Sequence, residues 1–247
     1  GMMLTGKRVL ITGGGTGVGA DLARSFAAAG AEVVIAGRST APLERVAAQN
    51  PAIRAVVADV TDEASVQALF ATAGVCDIVI ANAGAADSGL LARTTLDQWN
   101  RMIGVNLTGV FLTLREAARQ MPAWGRLISV ASGAGLKGFA YAAPYAAAKH
   151  GVVGLTRSLA LEMARRGVTV NALCPGYIAT EMTERSLANI IAKTGKTRDE
   201  AMGALTANNP QGRLIQPAEV TAAALWLCGP GSDAINGQAI AITGGEG

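Results

Sequence analysis

Thr12-Gly13-Gly14-Gly15-Thr16-Gly17-Val18-Gly19 directly follows the apolar run Arg8-Val9-Leu10-Ile11-Thr12 and opens into a segment of helical spacing from Val18 to Ala29. Glycines at such a junction let the backbone turn sharply and come close to a ligand. The helix start adds unpaired N–H groups and the positive end of a dipole, a combination that suits the pyrophosphate of a dinucleotide. A glycine-rich turn is equally what a tight strand-to-helix connection uses, so its place in the chain has to decide.

Outward from the turn, short β-branched runs recur at Glu32–Ala36, Ile53–Val57, Asp77–Ala81, Gly125–Val130, Val168–Ala172 and Gln238–Ile242. Each is nearly continuous in apolar character, as expected of a parallel strand covered on both faces. Segments of helical spacing separate them at Leu43–Gln49, Glu63–Ala73, Leu96–Met121, Tyr145–Arg166 and Pro217–Leu227. Seven strands alternating with helices predict an α/β fold: a Rossmann-type, doubly wound parallel sheet with helices on both faces. Ligands of such sheets bind beyond the carboxyl ends of the strands. No linker interrupts the pattern, so residues 1–247 are expected to form a single dinucleotide-binding domain. The one departure is Thr180–Gly212, more polar, read as a helical lid.

Of the 247 residues, 50% are hydrophobic and 16% charged, with a net charge of +3, which excludes a disordered chain. No window of about 18 uninterrupted apolar residues occurs, so no membrane-spanning helix and no membrane partner is expected. Lys7-Arg8 and the glycine cluster leave no room for a secretory leader, which points to a cytoplasmic location. No Lys/Arg cluster supports nucleic-acid binding. Cys76, Cys174 and Cys228 lie far apart in no metal-ligand spacing and read as reduced core residues, and no metal is expected.

Tyr145 and Lys149, four apart, share one helical face; Ser132 lies just past a strand end, and Asn106 sits inside a helical segment where a buried amide needs partners. Singly these are ordinary: a surface pair, a turn serine, a core amide. In series with the glycine turn they resemble the short-chain dehydrogenase/reductase family of the classical type. The matching residues are Thr12-Gly13-x-x-x-Gly17-x-Gly19, Asp59, Asn82-Ala83-Gly84, Asn106, Ser132, Tyr145-x-x-x-Lys149 and Pro175-Gly176-x-x-x-Thr180. The resemblance implies an NAD(P)-dependent oxidoreductase acting on CH–OH groups, with Tyr145 as general acid/base, Ser132 holding the substrate oxygen, Lys149 on the nicotinamide ribose and Asn106 supporting a proton-relay water. It implies cofactor contacts from Gly13, Gly15, Thr16, Gly17, Val18 and Gly19, from Arg38, Ser39, Asp59 and Val60, from Asn82, Ala83 and Gly84, from Tyr145 and Lys149, and from Pro175, Gly176, Ile178 and Thr180. Asp59 is equally readable as a helix cap. Family members are commonly tetramers, so a homotetramer is expected; the apolar face Ala148, Val152, Leu155 and Leu159 fits a helix interface or a core.

A free tyrosine titrates near pH ~10, too high for an efficient base at neutrality, so Lys149 is expected to stabilise its phenolate. Related NAD enzymes carry aspartate where this chain has Gly37, followed by Arg38 and Ser39. Arg38 can pair with a 2′-phosphate, which favours NADP(H). Thr16 stands where many NADP-preferring relatives carry a basic residue, so NAD(H) stays open. Substrate contacts are expected from Ser132, Tyr141, Tyr145, Tyr177 and Met182, while His150 is taken as structural. Small and apolar residues there, among them Leu136 and Phe139, suit a carbonyl on an apolar chain. With the run Asn209–Val220 and Gly244-Gly245, the chain is similar to 3-oxoacyl-thioester reductases and 3-hydroxyacyl-CoA dehydrogenases. The expected substrate is then a small carbonyl or alcohol, on CoA or a carrier-protein thioester. Arg185, Lys193, Lys196 and Arg198 of the lid could meet such a carrier, or with Glu181, Glu184, Asp199 and Glu200 form a solvated face. The rivals are a polyol, cyclic-alcohol or steroid dehydrogenase and, from another class, a non-catalytic dinucleotide sensor.

Overall fold

A computed structural model describes residues 2–247. Strands β1 (Arg8–Thr12), β2 (Glu32–Gly37), β3 (Ile53–Val57), β4 (Ile78–Ala81), β5 (Gly125–Val130), β6 (Val168–Pro175) and β7 (Ala239–Ile242) pair in parallel in the order β3-β2-β1-β4-β5-β6-β7. The doubly wound sheet expected from the alternation is present. Its order reverses direction between β1 and β4, where Ile11 lies opposite Ile80, and the crevice beyond that point is where such sheets take ligands.

Alternation along each strand divides the core in two. Val9, Ile11, Ile35 and Ile80 face α1 (Gly17–Ala28), α2 (Thr40–Ala47) and α9 (Pro217–Cys228), through Leu22, Phe26, Leu43 and Val220. Leu10, Val34, Val79 and Leu127 face α3 (Glu63–Ala73), α5 (Gly109–Gln120) and α6 (Ala143–Met163), through Phe70, Leu114 and Val152. Burying each such side chain contributes roughly 1.5–3 kcal/mol, which keeps the strand ends rigid enough to hold loops in place. Ala148 and Val152 are fully buried and Leu155 and Leu159 pack on the same cluster, so this face of α6 is core within the chain. The three cysteines are buried and free.

The segment Leu96–Met121 is not one helix. It divides into α4 (Leu96–Ile103), a π turn at Gly104–Thr108 and α5, and the widened turn carries Asn106 inward to full burial. Strand β6 runs three residues past the expected Ala172, and α6 starts earlier, with Pro144 in its first turn. The polar insertion holds α7 (Glu181–Thr194) and α8 (Arg198–Thr206). Among the described residues no helix is long and apolar enough to cross a membrane, and no cluster of three or more His, Cys, Asp or Glu could hold a metal ion.

The two strand ends at the crevice are tied by Thr12. Its buried hydroxyl oxygen accepts from the backbone N–H groups of Asn82 (3.0 Å) and Ala83 (3.1 Å), at the end of β4. Thr12→Val keeps the shape and removes the acceptor from both groups. It is expected to lower stability by about 2–4 kcal/mol, read as a lower urea midpoint with unchanged slope, whereas Thr12→Ser should stay within about 1 kcal/mol of the parent.

Candidate active site

The glycine turn is shaped by contact. Gly13 and Gly17 have φ of +64° and +52°. A Cβ at Gly19 would collide with the Gly13 carbonyl, so α1 can approach the turn only with glycine there. Asn82 Nδ2 donates to that same carbonyl at 3.2 Å. At the start of α1, Thr16 makes no side-chain capping bond and no acidic residue occupies the first turn. The helix therefore presents N–H groups without a side-chain cap and an uncompensated positive end, which fits an anionic phosphate. Val18 is buried beneath the turn, and Gly15 lies close to Pro42. Thr180 comes down beside Gly17, its Cγ2 3.4 Å from where a Cβ would stand, so the lid begins over the turn.

Beyond β2, Arg38 and Ser39 are exposed, and Arg38 forms no ion pair among the described residues. Asp59 accepts from the Thr61 hydroxyl (2.7 Å) and N–H (2.9 Å) through one carboxylate oxygen. These bonds, with a smaller pull from the Arg38 charge, hold its carboxyl below the usual range. The cap reading of Asp59 is not realised, since Asp62 is the N-cap of α3. Asp59 instead closes a turn on Thr61, its N–H donates to Ser65 Oγ and its carbonyl accepts from Asp62 N–H, which leaves its second carboxylate oxygen for other contacts. Val60 is buried against Gly109.

The π turn and α6 converge on Gly84. A Cβ there would lie 2.8 Å from Asn106 Oδ1 and 3.6 Å from Lys149 Nζ. Asn106 Oδ1 accepts from Ala85 N–H (3.1 Å), while its Nδ2 donates to the Ala85 and Met102 carbonyls (2.8 and 3.1 Å). Both amide protons are consumed, so the side chain is a strut for the 82–85 loop and keeps only an Oδ1 lone pair for a water. Lys149 is buried, donates to the Val130 carbonyl at 3.2 Å, and lies 5.5 Å from the centroid of the Tyr145 ring. Burial pushes its ammonium down to about 8.

Ser132 Oγ accepts from Ala134 N–H at 3.0 Å, which leaves its own proton free to donate. Burial pushes the Tyr145 phenol up, with the Ser132 hydroxyl pulling the other way. In the ligand-free chain the phenol therefore lies above its ordinary value. Desolvation of the phenolate prevails over the Ser132 hydrogen bond. His150 is exposed, its Nδ1 2.8 Å from the Ala146 carbonyl, and takes no part.

Tyr141, Tyr177 and Met182 are all exposed, beyond the ends of β5 and β6. Tyr141 has φ of +66°, a strained value for a non-glycine residue, and its carbonyl accepts from Gly89 N–H at 2.8 Å. Pro175 and Gly176 continue β6 beside β7, and the Ile178 carbonyl accepts from the Thr183 hydroxyl. In the lid, Arg198 pairs with both oxygens of Glu184 (2.8 and 2.7 Å), so it clasps α7 to α8 and is spent within the lid. The sequence pattern does not disclose the tie from Thr12 to the segment after β4, the part of Ala85 or the Lys137–Glu246 ion pair near Ser132. Only Thr12 carried a signal, a hydroxyl closing an apolar strand.

The profile of the short chain dehydrogenase family matches residues 7–190. A chain assigned as ketoacyl reductase 1 of the granaticin polyketide synthase of Streptomyces violaceoruber is 38% identical, over 96% of this chain and 92% of the relative. The 3-oxoacyl-acyl-carrier-protein reductase of Vibrio harveyi is 35% identical, over 99% of this chain and 98% of the relative. A crystal structure of an actinorhodin polyketide ketoreductase variant with NADPH superposes with a TM-score of 0.89 at 34% identity, covering 98% of this chain and 97% of its own.

The depressed Lys149 gives a pH test in the ligand-free protein. Its folded pKa is about 8 against 10.5 unfolded, so the unfolded chain binds more protons between those values and stability rises with pH there. Above about pH 9 the buried cysteines, raised by burial, oppose this. The thermal midpoint should rise from pH 8 to pH 9, and Lys149→Met should flatten that rise.

Proposed function

This chain belongs to the short chain dehydrogenase family, and from that membership we propose that it interconverts a 3-oxoacyl thioester and its 3-hydroxy counterpart, with NADP(H) as partner. It is an NAD(P)-dependent oxidoreductase acting on CH–OH groups. The observation that carries the reading is the meeting of Lys149 Nζ and Asn106 Oδ1 over Gly84, one helical turn from Tyr145. The uncapped start of α1 and the closely packed glycine turn fit a dinucleotide pyrophosphate, and the unpartnered Arg38 and Ser39 fit a 2′-phosphate.

The bound nicotinamide supplies the hydride for reduction and accepts it in oxidation. The protein handles the oxygen and the proton. Ser132, its oxygen fixed by Ala134 N–H, donates to the substrate carbonyl oxygen as negative charge grows there. Tyr145 gives its proton to the same oxygen, which becomes the hydroxyl, and the phenol is reprotonated from solvent. With the phenol raised by burial, the ligand-free chain holds this proton at neutral pH. Oxidation needs extra positive charge beside the phenol. Lys149 keeps two N–H groups beyond the Val130 bond, which would hold the ribose hydroxyls. Asn106 acts as a positioning residue, holding Ala85 and with it Gly84. Tyr141, Tyr177 and Met182 border the acyl chain. We read the protein as a homotetramer, with the exposed Phe111 of α5 and Leu161 of α6 on its contact faces.

Reduction of acetoacetyl-CoA, followed by loss of NADPH absorbance, tests the reading. Tyr145→Phe is expected to lower kcat by about 10²–10⁴-fold while NADPH binding, read by fluorescence, stays near that of the parent. Turnover of a ketose with none of any 3-oxoacyl thioester would remove the substrate class. Arg38→Asp should cut the NADPH over NADH ratio of kcat/KM by about 10–100-fold, the worth of hydrogen bonds to a charged group. An unchanged ratio would remove Arg38 from that role.

A further inference from the structure

Five residues past Ser132, Lys137 brings its ammonium 2.9 Å from Glu246 Oε1 and 5.1 Å from the centroid of the Phe139 ring. The pair lies on the Ser132 side of the site. Phe139 and the Thr243 methyl both abut Gly133, at 3.9 and 3.7 Å from where a Cβ would stand. Thr243 in turn holds Glu246, its hydroxyl donating to the Glu246 carbonyl at 3.0 Å. Glu246 and Tyr145 both push the Tyr177 hydroxyl up, after burial, so the carboxylate and both phenols act within one region.

The Glu246 side chain is 11% exposed and that of Lys137 34%. Glu246 Oε1 is buried and receives no aligned hydrogen bond, although the ammonium is close. Glu246 thus fixes Lys137 by charge, and the ammonium, with three donors, keeps N–H groups for a ligand. An alkyl chain laid over this pair would strip its water and return nothing. A carboxylate would meet Glu246 as well as Lys137, and the pair sums to zero charge. A neutral oxygen is the group that Lys137 can serve.

We propose that Lys137, aimed by Glu246, binds an oxygen on the acyl chain beyond the reacting carbonyl, so that the preferred thioester carries a second neutral hydrogen-bond acceptor and not a plain alkyl tail. This rests on the thioester reading above. Lys137 is the specificity residue and Glu246 its positioning residue.

The test compares kcat/KM for the N-acetylcysteamine thioesters of 3-oxohexanoate and 3,5-dioxohexanoate, equal in chain length. The parent should favour the dioxo ester by about tenfold, the scale of one polar contact in a binding pocket. Lys137→Met should bring the ratio to near one, and Lys137→Gln, which keeps a donor, should restore part of it. Glu246→Gln should raise KM for the dioxo ester more than for the mono-oxo ester, with kcat for the two moving alike; a purely structural role would move both KM values together. A parent that favours the alkyl ester, or a ratio unmoved by Lys137→Met, overturns the proposal while leaving thioester reduction intact. Turnover of neither ester, or of any other 3-oxoacyl thioester, overturns both.

Discussion

One buried hydroxyl joins the two strand ends between which the site lies. Thr12 Oγ1 accepts from two consecutive N–H groups after β4, and Asn82 from that segment reaches back to the Gly13 carbonyl. The next residues are held from the other side, where Asn106 bonds both backbone groups of Ala85. Gly84, between these two ties, has no room for a side chain. The glycine turn, the 82–85 loop and the π turn are therefore one rigid body, and Lys149 of α6 is delivered onto it. Movement of any member by an ångström would break bonds whose donors have few other partners.

Burial sets the chemistry of that body. Lowering Lys149 from 10.5 to about 8 corresponds to roughly 3 kcal/mol against charging it. The one bond from its ammonium is to the Val130 carbonyl. Ligand oxygens on the two remaining N–H groups would raise its proton affinity again. The same dryness holds the proton on Tyr145. Ligand binding and proton affinity are thus coupled through desolvation, with no moving part required.

The proposed substrate side is built differently. Its side chains come from segments beyond β5, β6 and β7, and most are exposed. Tyr141 is held at a left-handed φ by a bond from Gly89, so its placement depends on a loop well before it in the chain. The lid charges largely cancel, with Arg198 clasped to Glu184. Polar recognition falls instead to the pair formed by Lys137 and Glu246.

Local pattern was enough for the strands, most helices and the doubly wound parallel class of the sheet, because side-chain periodicity and burial on two faces are properties of short stretches. Tyr145 and Lys149 were likewise legible, since four residues on a helix must share a face. The π turn was hidden because one extra residue in a turn leaves the apolar spacing of Leu96–Met121 almost unchanged. Which atoms meet was decided by the tertiary structure alone. Thr12 finds Asn82 across 70 residues, Asn106 finds Ala85 across 21, and Lys137 finds Glu246 only because β5 and β7 flank β6. The direction of the Tyr145 shift also needed coordinates, since desolvation depends on every neighbour at once and a sequence names only those nearby in the chain.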